Sequence, residues 1–221
     1  MSRNIDNPMA SIFKYLAISI LCMFIGFLIG PYIIPVNMVY MANKVVTFLI
    51  IGLLIMAIFS RKSIIPRSFS MNFVYLFTFI DGILMYPLLQ YYLADLGRAT
   101  FIQILLATTI LFAVLAMMAN KKGAGHYLGI GNILFAGLIG LLIASILSIF
   151  ITGNTFNIAI SVIGVIVFSG YILYDVSLIK YDIENGGIRE RNDLSIHVLN
   201  LYLDFINILL DLLNIASRFD D

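Results

Sequence analysis

Long apolar segments separated by short polar ones dominate the hydrophobic pattern of this chain. Seven segments have the length of a membrane-spanning helix, which needs about 20 mostly apolar residues. They are Phe13–Ile34, Val39–Ser60, Met71–Leu93, Phe101–Ala119, Tyr127–Ile151, Phe156–Ile179 and Leu194–Ala216. No connection between them has the composition of an interdomain linker. The pattern predicts one all-α integral membrane domain over residues 1–221, a bundle of seven transmembrane helices.

The last segment differs from the others because polar residues recur along it. Six of them follow one another at intervals of three or four residues: His197, Asn200, Asp204, Asn207, Asp211 and Asn214. This spacing places all six on one helical face. Because an unpaired polar group in hydrocarbon costs several kcal/mol, we expect this helix to be central, with its stripe facing the other helices. The alternative is an amphipathic helix in the membrane interface, but such helices favour Lys and Arg on the polar face.

The composition supports a membrane location and excludes several classes of partner. Hydrophobic residues make up 62% of the chain and charged residues 11%, whereas a soluble domain must cover its surface with polar groups. The net charge of +1 argues against a nucleic-acid partner. Two histidines and one cysteine cannot form a zinc-type cluster. We therefore expect the lipid bilayer as the surrounding medium and no resident cofactor.

The positive charges predict how the chain is oriented. Ten of the 13 Lys and Arg residues lie in the N-terminal segment and in alternate connections: Arg3, Lys14, Arg61, Lys62, Arg67, Lys121, Lys122, Lys180, Arg189 and Arg191. The opposite side has Lys44, Arg98 and Arg218. Because basic residues concentrate on the cytoplasmic side, we expect a cytoplasmic N-terminus. With seven spans the C-terminus lies outside, and a re-entrant last segment would reverse it.

Three aspartates lie inside the predicted spans, where each charge costs roughly 2.5–3.5 kcal/mol on insertion scales. Asp81 and Asp204 both lie ten residues into helices that start at the cytoplasmic side, about 15 Å deep. Asp175 is expected nearer that surface, roughly 7 Å deep by the same rise. Asp81 is either part of an ion path or a purely structural hydrogen-bonding group.

A facing pair of Asp175 and Asp204 would have distinctive chemistry. Two close carboxyl groups cannot both ionise cheaply, so they share one proton and titrate in two separated steps. When both are ionised, they offer hard oxygen ligands to a divalent cation such as calcium. Arg61, where the second helix reaches the cytoplasm, is the nearest basic residue. The plainer alternative is that Asp175 pairs with Arg61 for packing alone.

Several stretches around these aspartates resemble one known family. They are GYILYD over residues 170–175, LYLDFIN over 201–207, and GILMYPL over 82–88 followed by ATTILF over 107–112. These stretches are similar to the sixth and seventh helices, and to the signature of the third and fourth, in the transmembrane Bax inhibitor motif family, especially its bacterial members. The similarity extends from the second helix to the end. Thr109 stands where an alanine is usual.

The resemblance implies a seven-helix fold in a bacterial plasma membrane, with the last helix at the centre. It also implies a pH-sensitive calcium leak, in which Asp175 and Asp204 form a proton-sharing dyad and Arg61 latches to it. Protonation would favour the closed form and deprotonation the open one. A transient calcium contact at the two aspartates and a permeation path along Asp81, His197, Asn200, Asn207 and Asp211 complete this expectation.

Two departures from the family pattern bear on permeation. Some bacterial relatives have a glutamate within the second helix, where this chain has Ile50. Conversely, Asp81 stands where a small polar residue such as serine is expected. We hypothesise that Asp81 supplies the missing carboxylate from a different helix.

Other functions remain open on the sequence alone. The main alternative is a non-conducting regulator that binds a protease or another membrane complex, because a pH-sensing pair could equally gate a docking surface. An intramembrane aspartyl protease would also use two membrane aspartates, but its Gly-x-Gly-Asp and Pro-Ala-Leu motifs are absent. A proton-coupled transporter would be expected to have an inverted repeat. We expect that the chain is not an enzyme.

Overall fold

The computed structural model describes residues 7–34, 42–62, 65–66, 68–151 and 153–219, without the side chains of residues 42–47. Every regular element among these residues is helical. The six α-helices are α1 Pro8–Ile33, α2 Ala42–Arg61, α3 Met71–Lys121, α4 Gly131–Leu147, α5 Asn154–Glu184 and α6 Ser195–Phe219. Short 3₁₀ turns at Leu128–Ile130 and Arg191–Leu194 precede α4 and α6. Three basic groups that contributed to the predicted orientation lie outside the described residues: Arg3, Arg67 and the side chain of Lys44. The predicted start of the second segment, Val39, also lies outside them.

Helix α3 is far longer than a single membrane crossing, but it is not one straight rod. Gly97 has φ 76° and ψ 162° inside it, a conformation that residues with a Cβ rarely adopt. The two arms of α3, residues 71–96 and 98–121, run in opposite directions along α6, as their side-chain contacts show. Asp81 contacts Tyr202 and Asp95 contacts Ser217, whereas Phe112 packs on Phe205. The chain therefore turns back on itself at Gly97.

Five of the helical stretches are long and apolar enough to cross a membrane, and α2 contains a shorter apolar stretch, Phe48–Arg61. In an apolar 18-residue segment of the stretch that contains α6, 83% of the residues are buried, against 22–33% in the corresponding segments of the other four. Helix α6 contacts α1, α2, α3 and α5. Large apolar side chains such as Leu28, Ile110 and Ile166 are instead exposed on the outer helices, as expected of surfaces that face lipid.

Helices α1 and the first arm of α3 pack closely because glycines lie at their contact. A Cβ on Gly82 would collide with the backbone carbonyl of Met23, and a Cβ on Gly26 would collide with the carbonyl of Phe79. Small residues of this kind let helix backbones approach one another in membranes. The contact fixes the position of the arm that contains Asp81.

We expect Gly82→Ala to lower the free energy of unfolding by about 1–2 kcal/mol, because the added methyl group forces two backbones apart. Thermal unfolding in detergent would measure the loss. Gly52→Ala is the matched control, since nothing lies within 4 Å of a Cβ at that helical position. Equal stability of the two variants would show that the close contact does not constrain the fold.

Candidate functional site

An arginine and two aspartates from three helices meet in the interior of the bundle. Arg61 is the last residue of α2, and its Nη2 donates to Asp175 Oδ2 at 2.8 Å and to Asp204 Oδ1 at 2.6 Å. The exposed fractions of the three side chains are 6%, 2% and 0%. The positive charge also lies at the C-terminal end of α2, where the helix dipole favours a cation.

The two aspartates lie at the same level, because each is nine residues from the helix end on that side. Asp204 follows the start of α6 at Ser195, and Asp175 precedes the end of α5 at Glu184. The sequence placed Asp175 nearer the cytoplasmic surface than Asp204, because its helix was predicted to end at Ile179, whereas α5 continues to Glu184. The charged residues beyond Ile179, which are Lys180, Asp182 and Glu184, are still helical.

Tyr171 completes the immediate surroundings of the guanidinium. The Arg61 Cζ lies 3.8 Å from the centroid of the Tyr171 ring, which is within the range of a cation–π contact. Tyr171 precedes Asp175 by one helical turn on α5, so both reach the same group. Together, the two carboxylates and the ring hold Arg61 on several sides.

The charges of this cluster do not balance when every group is ionised. One guanidinium faces two carboxylates, and the two carboxyl groups are also neighbours of one another. Buried charge without a partner is costly, and one shared proton makes the cluster neutral. The arrangement can therefore couple the binding of one proton to the strength with which Arg61 is held.

Asp81 lies on the other side of α6 and has a different partner. The Tyr202 hydroxyl donates to Asp81 Oδ2, and both residues are buried, at 0% and 7% exposure. Tyr202 and Asp204 are two residues apart, which turns them about 200° from one another around a helix. Helix α6 is thus held by polar contacts on opposite faces at nearly the same level.

The remaining polar stripe of α6 contacts several different groups. Asn207 is buried and donates from Nδ2 to the Leu203 carbonyl at 2.7 Å. Asp211 is partly buried, and its carboxyl group packs on the backbone of α5 where Gly164 leaves room. Near the end of α6, Asn214 donates to the Ser161 hydroxyl at 2.8 Å.

A cavity of about 560 Å³ has Asp182, His197, Arg61 and Asp175 among its lining residues. His197 Nε2 lies 3.4 Å from Asp182 Oδ2. Asn200 also lines the cavity. Two members of the α6 stripe therefore face this cavity.

The described ranges contain no group of three or more His, Cys, Asp and Glu side chains that could hold a metal ion. The Arg61 guanidinium occupies the space between Asp175 and Asp204. The other oxygen of each carboxyl group, Asp175 Oδ1 and Asp204 Oδ2, has no hydrogen-bond partner among the described residues.

The sequence was also compared with known proteins. A family model described as inhibitor of apoptosis-promoting Bax1 matches residues 6–221, nearly the whole chain. The chain belongs to this Bax inhibitor family. The resemblance inferred from the aspartate stretches is thereby confirmed.

Relatives in several bacteria support this assignment. An uncharacterised protein of Campylobacter jejuni is 37% identical over 159 residues, 70% of this chain and 64% of the relative. An uncharacterised protein of Helicobacter pylori strain J99 is 28% identical over 213 residues, 95% of this chain and 85% of the relative. An uncharacterised membrane protein of Streptococcus pyogenes serotype M3 is 33% identical over 134 residues, 60% of this chain and 58% of the relative. The chain thus spans less than two thirds of the first and third of these relatives. Together with its apolar helices, these matches identify an integral membrane protein.

Three residues near the aspartates had no role predicted from the sequence: Tyr171, Tyr202 and Asp182. Tyr171 and Tyr202 each lie within a motif around an aspartate, but their contacts with Arg61 and Asp81 depend on tertiary packing. Asp182 lies beyond the end of the predicted sixth segment at Ile179. Because Asp182 lies two helical turns beyond Asp175, both residues share one helical face. The sequence could have indicated this only if α5 were known to continue through residue 184.

Proposed function

We propose that this chain is a pH-sensitive calcium leak channel, gated by the Asp175–Asp204 dyad with Arg61 as its latch. The observation that carries the proposal is one buried guanidinium shared by two buried carboxylates at 2.8 and 2.6 Å. An arrangement that binds one proton per cluster suits a switch, because a single protonation changes its net charge.

The proposed architecture is a seven-span bundle with α6 at its centre and the N-terminus in the cytoplasm of a bacterial cell. The reversal at Gly97 supports counting the two arms of α3 as separate spans. The burial of α6 and its contacts with four other helices support a central position. The bias of the positive charges supports the orientation.

The gating mechanism follows from the charges of the cluster. At acidic pH, one shared proton and Arg61 neutralise the two carboxylates, and the latched, closed form is favoured. At alkaline pH both carboxylates ionise, the buried cluster has a net negative charge, and opening to water is favoured. Calcium flux is therefore expected to rise with pH.

Calcium would be the cargo of this pathway rather than a resident ion. We propose that it passes along the polar face of α6, with Asn200, Asn207, Asp211 and His197 as contacts and Asp81 as an additional carboxylate. Asp175 and Asp204 would contact it transiently once Arg61 has left them. Weak, successive contacts suit conduction, because a permeant ion must also leave each site.

The first test is calcium entry into liposomes that contain a calcium dye and the purified protein. The unaltered protein should pass more calcium at alkaline than at acidic pH. In Asp204→Asn, Arg61 faces one carboxylate instead of two, so the pair is neutral without a shared proton, and flux should stay low and lose its pH dependence. Glu184→Gln, an exposed acid on α5, should retain the dependence.

Absence of flux at every pH would overturn the channel and favour the regulator that binds a protease or another membrane complex. In that case the same dyad would control a docking surface. We propose no enzymatic activity, because the guanidinium lies between the carboxylates where an aspartyl protease holds its water. Partners are thus the bilayer, protons and calcium, with a membrane protein as the alternative.

A further inference from the structure

Two buried oxygen atoms in the cavity beside the latch have no hydrogen-bond partner among the described residues. They are Asp175 Oδ1 and Asn200 Oδ1, and both residues line the cavity. Their exposed fractions are 1% and 5%. Buried polar atoms are nearly always paired with another polar group, and both oxygens are acceptors when the carboxyl group is ionised. The cavity is therefore suited to a ligand that brings hydrogen-bond donors to them.

The size and position of the cavity suit an organic molecule. Its volume of about 560 Å³ lies within the range of small-molecule sites, about 300–1,000 Å³. Exposed residues such as Asn132 and Gly187 line it together with the buried Asp175 and Asn200. The cavity therefore leads from the protein surface to the interior cluster.

The cavity residues of α5 and α6 are level with one another along the two antiparallel helices. The latch joins Asp175 of α5 to Asp204 of α6. Seven residues further along each helix, Asp182 Oδ2 lies 3.4 Å from His197 Nε2. At about 1.5 Å per residue, this second contact is about 10 Å from the first. Asn200 lies between the two contacts on α6.

The two acids of α5 that line the cavity are separated by an apolar side chain. Asp175, Leu178 and Asp182 follow one another at intervals of three and four residues, so they lie on one helical face. The two carboxyl groups are about 10 Å apart along the helix. A single metal ion needs ligands that converge on one point. These positions instead suit an elongated ligand with a cationic group at each end and methylene groups between them.

Acidic groups outnumber basic groups around the cavity. The charged residues that line it in the described part of the chain are Arg61, Lys62, Asp175, Asp182 and Asp193, and Arg61 also holds Asp204. Four carboxyl groups therefore face two basic groups. Even when Asp175 and Asp204 share one proton and His197 is neutral, a negative charge remains. A cationic ligand is therefore favoured over an anionic one.

We propose that the cavity binds a linear aliphatic polyamine, stretched along α5 between Asp175 and Asp182. Its inner ammonium group donates to Asp175 Oδ1, an internal amine donates to Asn200 Oδ1, and its outer ammonium group pairs with Asp182, whose side chain is 33% exposed. The methylene groups pack on the apolar side chain between the two acids. Arg61 keeps its bonds to Asp175 Oδ2 and Asp204 Oδ1. The ligand thus fits the latched form of the protein and does not depend on calcium conduction.

Binding of spermidine to the full-length protein in nanodiscs of neutral lipid, measured by titration calorimetry, tests this site. Spermidine should bind roughly tenfold more tightly than the short diamine trimethylenediamine, because only the longer molecule reaches both acids. Asp182→Asn should weaken spermidine binding roughly tenfold, since it removes the charge that pairs with the outer ammonium group. Asn200→Leu removes the acceptor for the internal amine and should also weaken binding.

Glu184→Gln is the matched control, because it removes an exposed acid of α5 that lies two residues beyond Asp182 and outside the cavity lining. It should leave spermidine binding unchanged. If it weakens binding as much as Asp182→Asn, or if trimethylenediamine binds as tightly as spermidine, the attraction is diffuse and the proposal fails. Binding no tighter than to empty nanodiscs would also overturn it, because the cavity would then hold only water. Length-selective binding that is lost in Asp182→Asn would support the polyamine site even if the protein passes no calcium.

Discussion

Replacing Arg61 with methionine is expected to lower the free energy of unfolding by about 3–5 kcal/mol at neutral pH, because breaking a buried ion pair leaves uncompensated charge. The guanidinium is the hydrogen-bonding cation of both Asp175 and Asp204, which are almost completely buried. Methionine retains part of the apolar volume near the Tyr171 ring but none of the charge. Unfolding in increasing sodium dodecyl sulfate, followed by circular dichroism, would measure the loss.

The pH dependence of this loss identifies its electrostatic origin. Without Arg61, the two carboxyl groups lose their charge by binding protons, so the variant should regain stability relative to the unaltered protein as pH falls. The triple change Arg61→Met, Asp175→Asn and Asp204→Asn removes every charge and should recover most of the stability at neutral pH. A loss that is equal at all pH values, or that persists in the triple variant, would mean that Arg61 acts through packing alone.

The hydrophobic pattern predicts the order of the apolar segments more reliably than their ends. The predicted third and fourth segments fall on the two arms of α3, and the reversal at Gly97 lies in the predicted connection between them, residues 94–100. The predicted sixth segment ended at Ile179, whereas α5 continues to Glu184. Charged residues can extend a helix beyond the apolar region, and hydropathy has no signal for that extension.

Side-chain pairing across helices was only partly accessible from the sequence. The three- and four-residue spacing on α6 predicts a shared polar face, but it does not tell which residue each member contacts. Arg61 and Asp204 are separated by 143 positions, and the resemblance rather than the spacing suggested that they meet. Ile50, where the resemblance led us to expect a glutamate in some relatives, is partly buried against the core. Asp81 is instead bound by Tyr202, a partner that no local pattern indicates.

Tyr202→Phe is expected to lower the free energy of unfolding by about 2–3 kcal/mol, because it removes the hydroxyl group that serves a buried carboxyl. The Tyr202 ring also packs on Phe77 in an edge-to-face geometry, with centroids 6.3 Å apart, and phenylalanine retains that contact. The loss should therefore report the hydrogen bond. Tyr91→Phe, on the same arm of α3 and packed on Tyr92 at 5.4 Å, is the matched control.

The same bond also tests whether Asp81 takes part in permeation. Asp81→Asn keeps an oxygen acceptor for Tyr202, so it should preserve most of the stability while removing the charge. If Asp81 contributes to the ion path, calcium flux at alkaline pH should fall in Asp81→Asn but not in Tyr91→Phe. Flux that is unchanged in Asp81→Asn would assign this carboxyl group to packing alone. Helix α6 would then be held structurally by Asp81 on one face and switched by Arg61 on the other.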